Sequence, residues 1–240
     1  RPNKKQEEFF CSQHRYVAYG GARGGGKSWA MRRKMVLLAM RTPCLRLLLL
    51  RRTLQELREN HLLPLQTDLL GFAEYKRDEK TFVFPNGSRL TLGYCDGDSD
   101  VLQYQGAEYD VIGFEEATHF KEEWMVFIST SLRTTKKDFR PRIYYTCNPG
   151  GVGHAYIKRL FIDRNFREGE DPDDYLFIRD LKPREKEYRL LRKAFRGGNT
   201  HANRYYVGEI LENITSYDRV SSYPDVQINE LFPMSPWIKE

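Results

Sequence analysis

Along residues 15 to 180 the chain alternates between short, nearly solid apolar runs and longer stretches of helical character. The runs Arg15 to Tyr19, Leu45 to Leu50, Asp110 to Phe114 and Ile143 to Thr146 have strand length and few polar residues. Strands of a parallel sheet read this way, because helices cover both faces and bury every side chain. Tyr175 to Ile178 fits as a last strand. Lys27 to Met40, Lys121 to Leu132 and His154 to Phe161 have the length and composition of helices. Thr53 to Leu70 is also expected to be helical, broken or kinked at Pro64, since proline lacks the N–H the helix needs. Thr81 to Phe84 and Arg89 to Tyr94 flank Asn86-Gly87, which predicts a β-hairpin. The polar and aromatic stretch before Arg15 carries no assigned element.

Strands alternating with helices predict an α/β fold with a mostly parallel sheet flanked by helices. After Pro183 the pattern changes. Arg184 to Phe195 and Ala202 to Leu211 read as helices around Gly197-Gly198, and Ser221 to Glu240, with three prolines, reads as a linker or strap. The expected division is a domain over 1–180 and a small helical subdomain with linker over 181–240.

The formal net charge of +6 is compatible with a polyanionic partner, although the basic residues are spread over segments that also read as solvated helix faces. The four cysteines lie far apart and the five histidines form no spaced set, so zinc is not expected. No apolar run is long enough to span a bilayer and the first residues lack a signal peptide's apolar core, which points to the cytoplasm and no membrane. Asp96 to Asp100 invites a calcium reading, but the sixth and twelfth places of such a loop hold Val101 and Ala107 instead of Gly and Glu. A solvated loop is expected there.

The chemistry concentrates in two places. Gly21-Ala22-Arg23-Gly24-Gly25-Gly26-Lys27-Ser28 fits G-x-x-x-x-G-K-S, between a predicted strand and a predicted helix. Glycines let backbone N–H groups turn inward around phosphates. Lys27 would bring a point charge to the β- and γ-phosphates, Ser28 would ligate Mg²⁺, and the helix would present its N-terminus to the anion. The second place is Val111-Ile112-Gly113-Phe114-Glu115-Glu116, an apolar strand ending in two carboxylates. In nucleotide-hydrolysing proteins with such a loop, a neighbouring strand delivers a carboxylate toward Mg²⁺, and a second acid can deprotonate the attacking water. Glu115 is assigned to the metal and Glu116 to the water, so ATP and Mg²⁺ are the expected substrate and cofactor.

Together with Gln6-Glu7-Glu8-Phe9-Phe10 before the first strand, Tyr104 to Ala117, and Thr146-Cys147-Asn148-Pro149-Gly150-Gly151 followed by Gly153-His154, these motifs resemble the large terminase subunit of tailed bacteriophages over about residues 6 to 160. The resemblance implies a RecA-like P-loop NTPase sheet and an ATP-driven motor that packages double-stranded DNA into a procapsid. It implies a portal protein and a small terminase subunit as partners, and a homo-oligomeric ring at the procapsid in the host cytoplasm. Gln6 falls where an adenine-contacting glutamine is found, and Arg23 where a basic residue approaches the phosphates. Asn148 belongs to the segment from Thr146 that couples hydrolysis to DNA movement. The family usually has Asp where this chain has Glu115, and some relatives carry a trans-acting arginine where it has Gln105; Arg133 and Arg140 are the weaker candidates for that role. In the family a nuclease domain follows the ATPase, so no DNA cleavage is expected of this chain. The alternatives are a helicase-like or DNA-repair ATPase and a nucleotide-gated scaffold. A helicase would be expected to show a second motor domain after residue 160, and a pure switch has no need of Glu116.

Overall fold

Residue choice in the first helix, α1 (Lys4–Cys11), shows why it forms although sequence reading left this stretch unassigned. Asn3 accepts hydrogen bonds from the backbone N–H groups of Lys5 and Gln6, and the Gln6 side chain accepts from the Asn3 N–H. This reciprocal cap satisfies N–H groups that the helix itself cannot pair. Phe9, fully buried, then anchors α1 by stacking on Tyr19 and meeting Tyr144 edge-on, both at 5.4 Å between ring centres. The computed structural model describes residues 2–21 and 24–180, all within the compact unit Arg1–Asp180. The expected helices and linker of 181–240 lie outside the described residues.

From α1 the chain enters β1 (Tyr16–Gly21), α2 (Lys27–Arg41) and β2 (Arg46–Arg51). The next segment is helical as expected, and its irregularity falls just before Pro64: helix α3 (Leu54–Leu57) runs through a π turn (Arg58–Leu62) into α4 (Leu63–Asp68) without a break. The wider turn takes up the misfit that a proline ring creates with the carbonyl four residues before it. That carbonyl belongs to Asn60, and the Arg32 guanidinium of α2 donates to it instead. The helical path is kept because a neighbouring helix supplies the donor that Pro64 lacks.

Three antiparallel strands follow: β3 (Glu74–Lys76), which sequence reading missed, and the expected hairpin of β4 (Thr81–Val83) and β5 (Arg89–Tyr94). β3 has three residues, two of them exposed, so no apolar pattern marks it. The region expected as a solvated loop contains a short helix, α5 (Asp98–Val101), started by Asp100 accepting the N–H of Gly97. Then come β6 (Val111–Phe114), α6 (Glu122–Ser129), β7 (Arg142–Cys147), α7 (His154–Phe161) and β8 (Tyr175–Asp180).

Among the described residues eight strands form one sheet in the order β3-β4-β5-β2-β6-β7-β1-β8, parallel from β5 to β8. Alternate residues of each strand face opposite layers. Val17, Leu47, Leu49, Val111 and Tyr144 pack with α1, α2 and the α3–α4 segment; Ala18, Leu48, Leu50, Ile112 and Tyr145 pack with α6 and α7. Gly113 lets α2 approach β6, since a Cβ there would stand 2.3 Å from the Met35 Cε. Among the described residues no helix is long and apolar enough to cross a membrane.

Candidate active site

The glycine loop leaves the end of β1 and opens α2. Gly24 and Gly26 both have φ of +74°, a backbone that residues with a Cβ rarely adopt, and Gly26 is the N-cap of α2 with no side chain over the helix end. The N-terminal N–H groups and the positive end of the helix dipole make this an anion site. Lys27 is buried, and its ammonium donates to the Gly21 carbonyl at 3.5 Å. Ala22 and Arg23 lie outside the described residues.

Gln6 lies against the back of this loop. Its Oε1 is taken by the Asn3 N–H at 2.9 Å, while its Nε2 makes long contacts of 3.4 Å to the Gly25 and Gly26 carbonyls. A Cβ on Gly26 would come within 2.6 Å of that nitrogen. The first helix is thereby fastened to the loop.

The acid-bearing strand is one place removed from the loop strand: β7 lies between β6 and β1, pairing with both. Thr146, near the end of β7, pairs with Tyr19, and its Oγ1 accepts the N–H of Glu116 at 3.1 Å. The hydroxyl of Thr118 donates to the Asn148 carbonyl at 3.0 Å, and Gly153 N–H to the Thr118 carbonyl at 2.9 Å. The segments after β6 and β7 are stitched together beside the loop. Asn148 Oδ1 is buried with no hydrogen-bond partner among the described residues.

Glu115 is fully buried. Its Oε2 receives Arg51 Nη1 at 2.7 Å and His61 Nε2 at 2.5 Å, while Oε1 has no hydrogen-bond partner among the described residues. Burial pushes the carboxyl pKa up, but the hydrogen bond and charge of His61, then Arg51, then Ser28 outweigh it and bring it down to about 2. Ser28 is therefore near enough to act on this carboxyl, although no hydrogen bond of ordinary geometry reaches Oε1. A buried, bare carboxylate oxygen beside a serine hydroxyl suits Mg²⁺, which takes oxygen ligands and needs only one or two carboxylates when phosphates and waters complete its shell.

Glu116 differs from Glu115 in backbone and in exposure. Its backbone is left-handed, with φ 50° and ψ 52°, and its side chain is 26% exposed, open to solvent where Glu115 is not. Its carboxylate pairs with Arg51 Nη2 at 3.0 Å and His119 Nδ1 at 3.1 Å. Desolvation of the Arg51 guanidinium opposes its charge, yet Glu115, Glu116 and Glu56 together raise its pKa.

The structure thus brings Gln6, the described loop glycines, Lys27, Ser28, Glu115 and Glu116 to one end of the sheet. Arg51 and His61 are site residues that sequence reading missed. Arg133 and Arg140 lie at the other end: Arg133 bonds back to Thr130, and Arg140 precedes β7 and pairs with Asp174. Neither reaches the site within its own chain.

Comparison with known proteins agrees with this architecture. No curated protein matches the chain. Among solved structures, the large terminase of a thermophilic bacteriophage gives a TM-score of 0.62 at 18% identity, covering 82% of this chain and 51% of that one. Crystals of the same terminase with ADP and with ATP-γ-S give 0.61 and 0.60. The ATPase domain of the Thermus phage P74-26 large terminase gives 0.54 at 14% identity, covering 81% of this chain and 88% of that one. The HK97 bacteriophage large terminase gives 0.54 at 10% identity, covering 75% and 39%. These likenesses carry the P-loop NTPase fold, and the chain spans about half the length of the thermophilic phage protein. Sequence and fold converge on one family, since residues 13–181, most of the chain, match the phage terminase large subunit: the chain belongs to that family.

Proposed function

We propose that residues 1–180 form the ATP-hydrolysing motor domain of a terminase large subunit, which drives double-stranded viral DNA into a procapsid. One observation carries the reading: the glycine loop and helix N-terminus share an end of the sheet with a buried carboxylate beside Ser28 and a second, accessible carboxylate. Gly21, Ala22, Gly24, Gly25 and Gly26 would cradle the phosphates, with Lys27 and Arg23 supplying positive charge. Gln6 keeps one weakly engaged donor, Nε2, for the adenine edge. Ser28 and Glu115 Oε1 would hold Mg²⁺, which when bound offsets charge on the β- and γ-phosphates. Glu116 would take a proton from the attacking water as its oxygen bonds to the γ-phosphorus and the bond to the bridging oxygen breaks. Asn148, tied through its carbonyl to Thr118, would sense that event and pass it toward DNA.

The partners in this reading are the portal protein, the small terminase subunit and further copies in a ring on the procapsid, in the host cytoplasm. The full protein would add a nuclease domain. The test is phosphate release by the purified chain, with and without linear DNA. Lys27→Ala is expected to lower turnover by about 10²-fold or more, the scale for losing one fixed group that stabilises transition-state charge. Turnover within a few-fold of wild type in Lys27→Ala would overturn the assignment of the loop. Nucleotide binding with no turnover, with or without DNA, would favour the nucleotide-gated scaffold.

A further inference from the structure

The two carboxylates are held by residues that the glycine loop does not contain. Arg51, the last residue of β2, places Nη1 on Glu115 at 2.7 Å and Nη2 on Glu116 at 3.0 Å, with Nε 3.3 Å from Glu56. Its side chain is 7% exposed, and His61, from the π turn, is wholly buried. Both donors converge on Glu115 Oε2 and leave Oε1 without a hydrogen bond among the described residues. A guanidinium is a rigid planar fork with donors on separate nitrogens, so one side chain can fix two carboxylates relative to each other. An imidazole holding one oxygen of a carboxylate sets the direction of the other, as partners behind metal ligands generally do.

We propose that Arg51 and His61 are positioning residues for hydrolysis: together they orient Glu115 so that Oε1 is the oxygen offered to the ion, and Arg51, beside His119, ties Glu116 into the same frame. The proposal rests on the roles given to Glu115 and Glu116 above. It separates two defects. Losing His61 loosens only the metal-side acid. Losing Arg51 loosens both acids.

The experiment measures binding of a fluorescent, non-hydrolysable ATP analogue while Mg²⁺ is titrated, and turnover over the same range. Arg51→Met and His61→Leu are expected to raise half-saturating Mg²⁺ by roughly 10–100-fold, the usual effect of removing a partner behind a metal ligand. Added Mg²⁺ should largely restore turnover in His61→Leu and leave Arg51→Met defective. His61→Gln, which keeps a donor, should move the Mg²⁺ requirement back toward wild type. Half-saturating Mg²⁺ within about two-fold of wild type in both variants, or equal recovery of turnover, would overturn the proposal. Glu115→Gln runs alongside. If it leaves the Mg²⁺ requirement unchanged, the assignment of the metal ligand fails; if it raises the requirement and neither partner variant does, only the positioning role fails. Should Arg51→Met not fold, Arg51→Lys decides, because an ammonium keeps the charge but lacks the fork. Its turnover should stay low at saturating Mg²⁺, and full recovery there would refute the role of Arg51.

Discussion

Glu116 joins two demands that pull against each other. Its left-handed backbone presses Cβ toward a carbonyl, at a cost of about 1–2 kcal/mol, while its carboxylate is the group proposed to activate water. Glu116→Gln should retain nucleotide binding and lose roughly 10²–10⁴-fold in turnover; binding lost in parallel would assign Glu116 to the metal instead. Glu116→Gly and Glu116→Ala both delete the carboxylate and differ in the backbone. At an ordinary helix position Ala is the more stable by about 1 kcal/mol, and here the order should invert, so that Glu116→Gly melts above Glu116→Ala. Melting in the usual order would show that the turn relaxes without strain. At this scale the sequence was legible where chemistry is local. Lys27 and Ser28 stand in one continuous motif, and Glu115-Glu116 end one apolar run. Arg51 and His61 meet Glu115 across 64 and 54 residues of chain, so only the folded sheet brings them together.

Elements were legible in proportion to their burial on both sides. The interior strands read directly as apolar runs, and α7 begins and ends where its pattern does. Helix α1 escaped because a single fully buried aromatic, Phe9, is too little to show a period, although Asn3 and Gln6 already spelled its cap. Lys34 of α2 adds a polar hold on the end of α1. Its ammonium is buried, donates to the Phe10 carbonyl at 2.6 Å and the Ser12 carbonyl at 3.2 Å, and lies 5.3 Å from the centre of the Tyr144 ring. Desolvation lowers its pKa from 10.5 to about 8. A lowered value means the unfolded chain binds the proton more tightly, so its contribution to stability is full above 10.5 and is lost as pH falls through about 8. Relative to Lys34→Met, the wild type should therefore gain stability between these values, by up to roughly 3 kcal/mol. Urea midpoints for the pair at several pH values test this, and a constant difference would mean that Lys34 stays charged or reaches water.

At the scale of the whole molecule, the alternation of strands and helices predicted the layered α/β form but not the strand order. The spacing of motifs along a chain does not say which strands are neighbours, and the insertion of β7 between loop strand and acid strand follows only from pairing. That order puts Thr146 and Asn148 between the two halves of the site, where the Thr146 hydroxyl accepts the N–H of Glu116. The net charge of +6 is likewise a property of the whole. If DNA is gripped mainly through its phosphates, affinity should be indifferent to sequence and fall steeply with salt, with log K declining by about 0.9 per phosphate neutralised. Binding isotherms on two unrelated duplexes between low and physiological salt provide the measurement. A flat salt response, or a strong preference for one duplex, would remove backbone contacts as the source of grip.

The π turn at Arg58–Leu62 has a consequence for how this segment can vary in length. Such a turn is an α-helix holding one residue more than its regular winding accommodates. Deleting any one residue there would heal the helix and remove a local irregularity. Because the wider turn already takes up the extra residue, the helical faces before and after it keep nearly the register of an unbroken α-helix, and the same deletion would leave Leu57 and Leu65 in the core. What it would remove is the widened winding from which His61 reaches Glu115. The extra residue is therefore held in place by the site and not by the core.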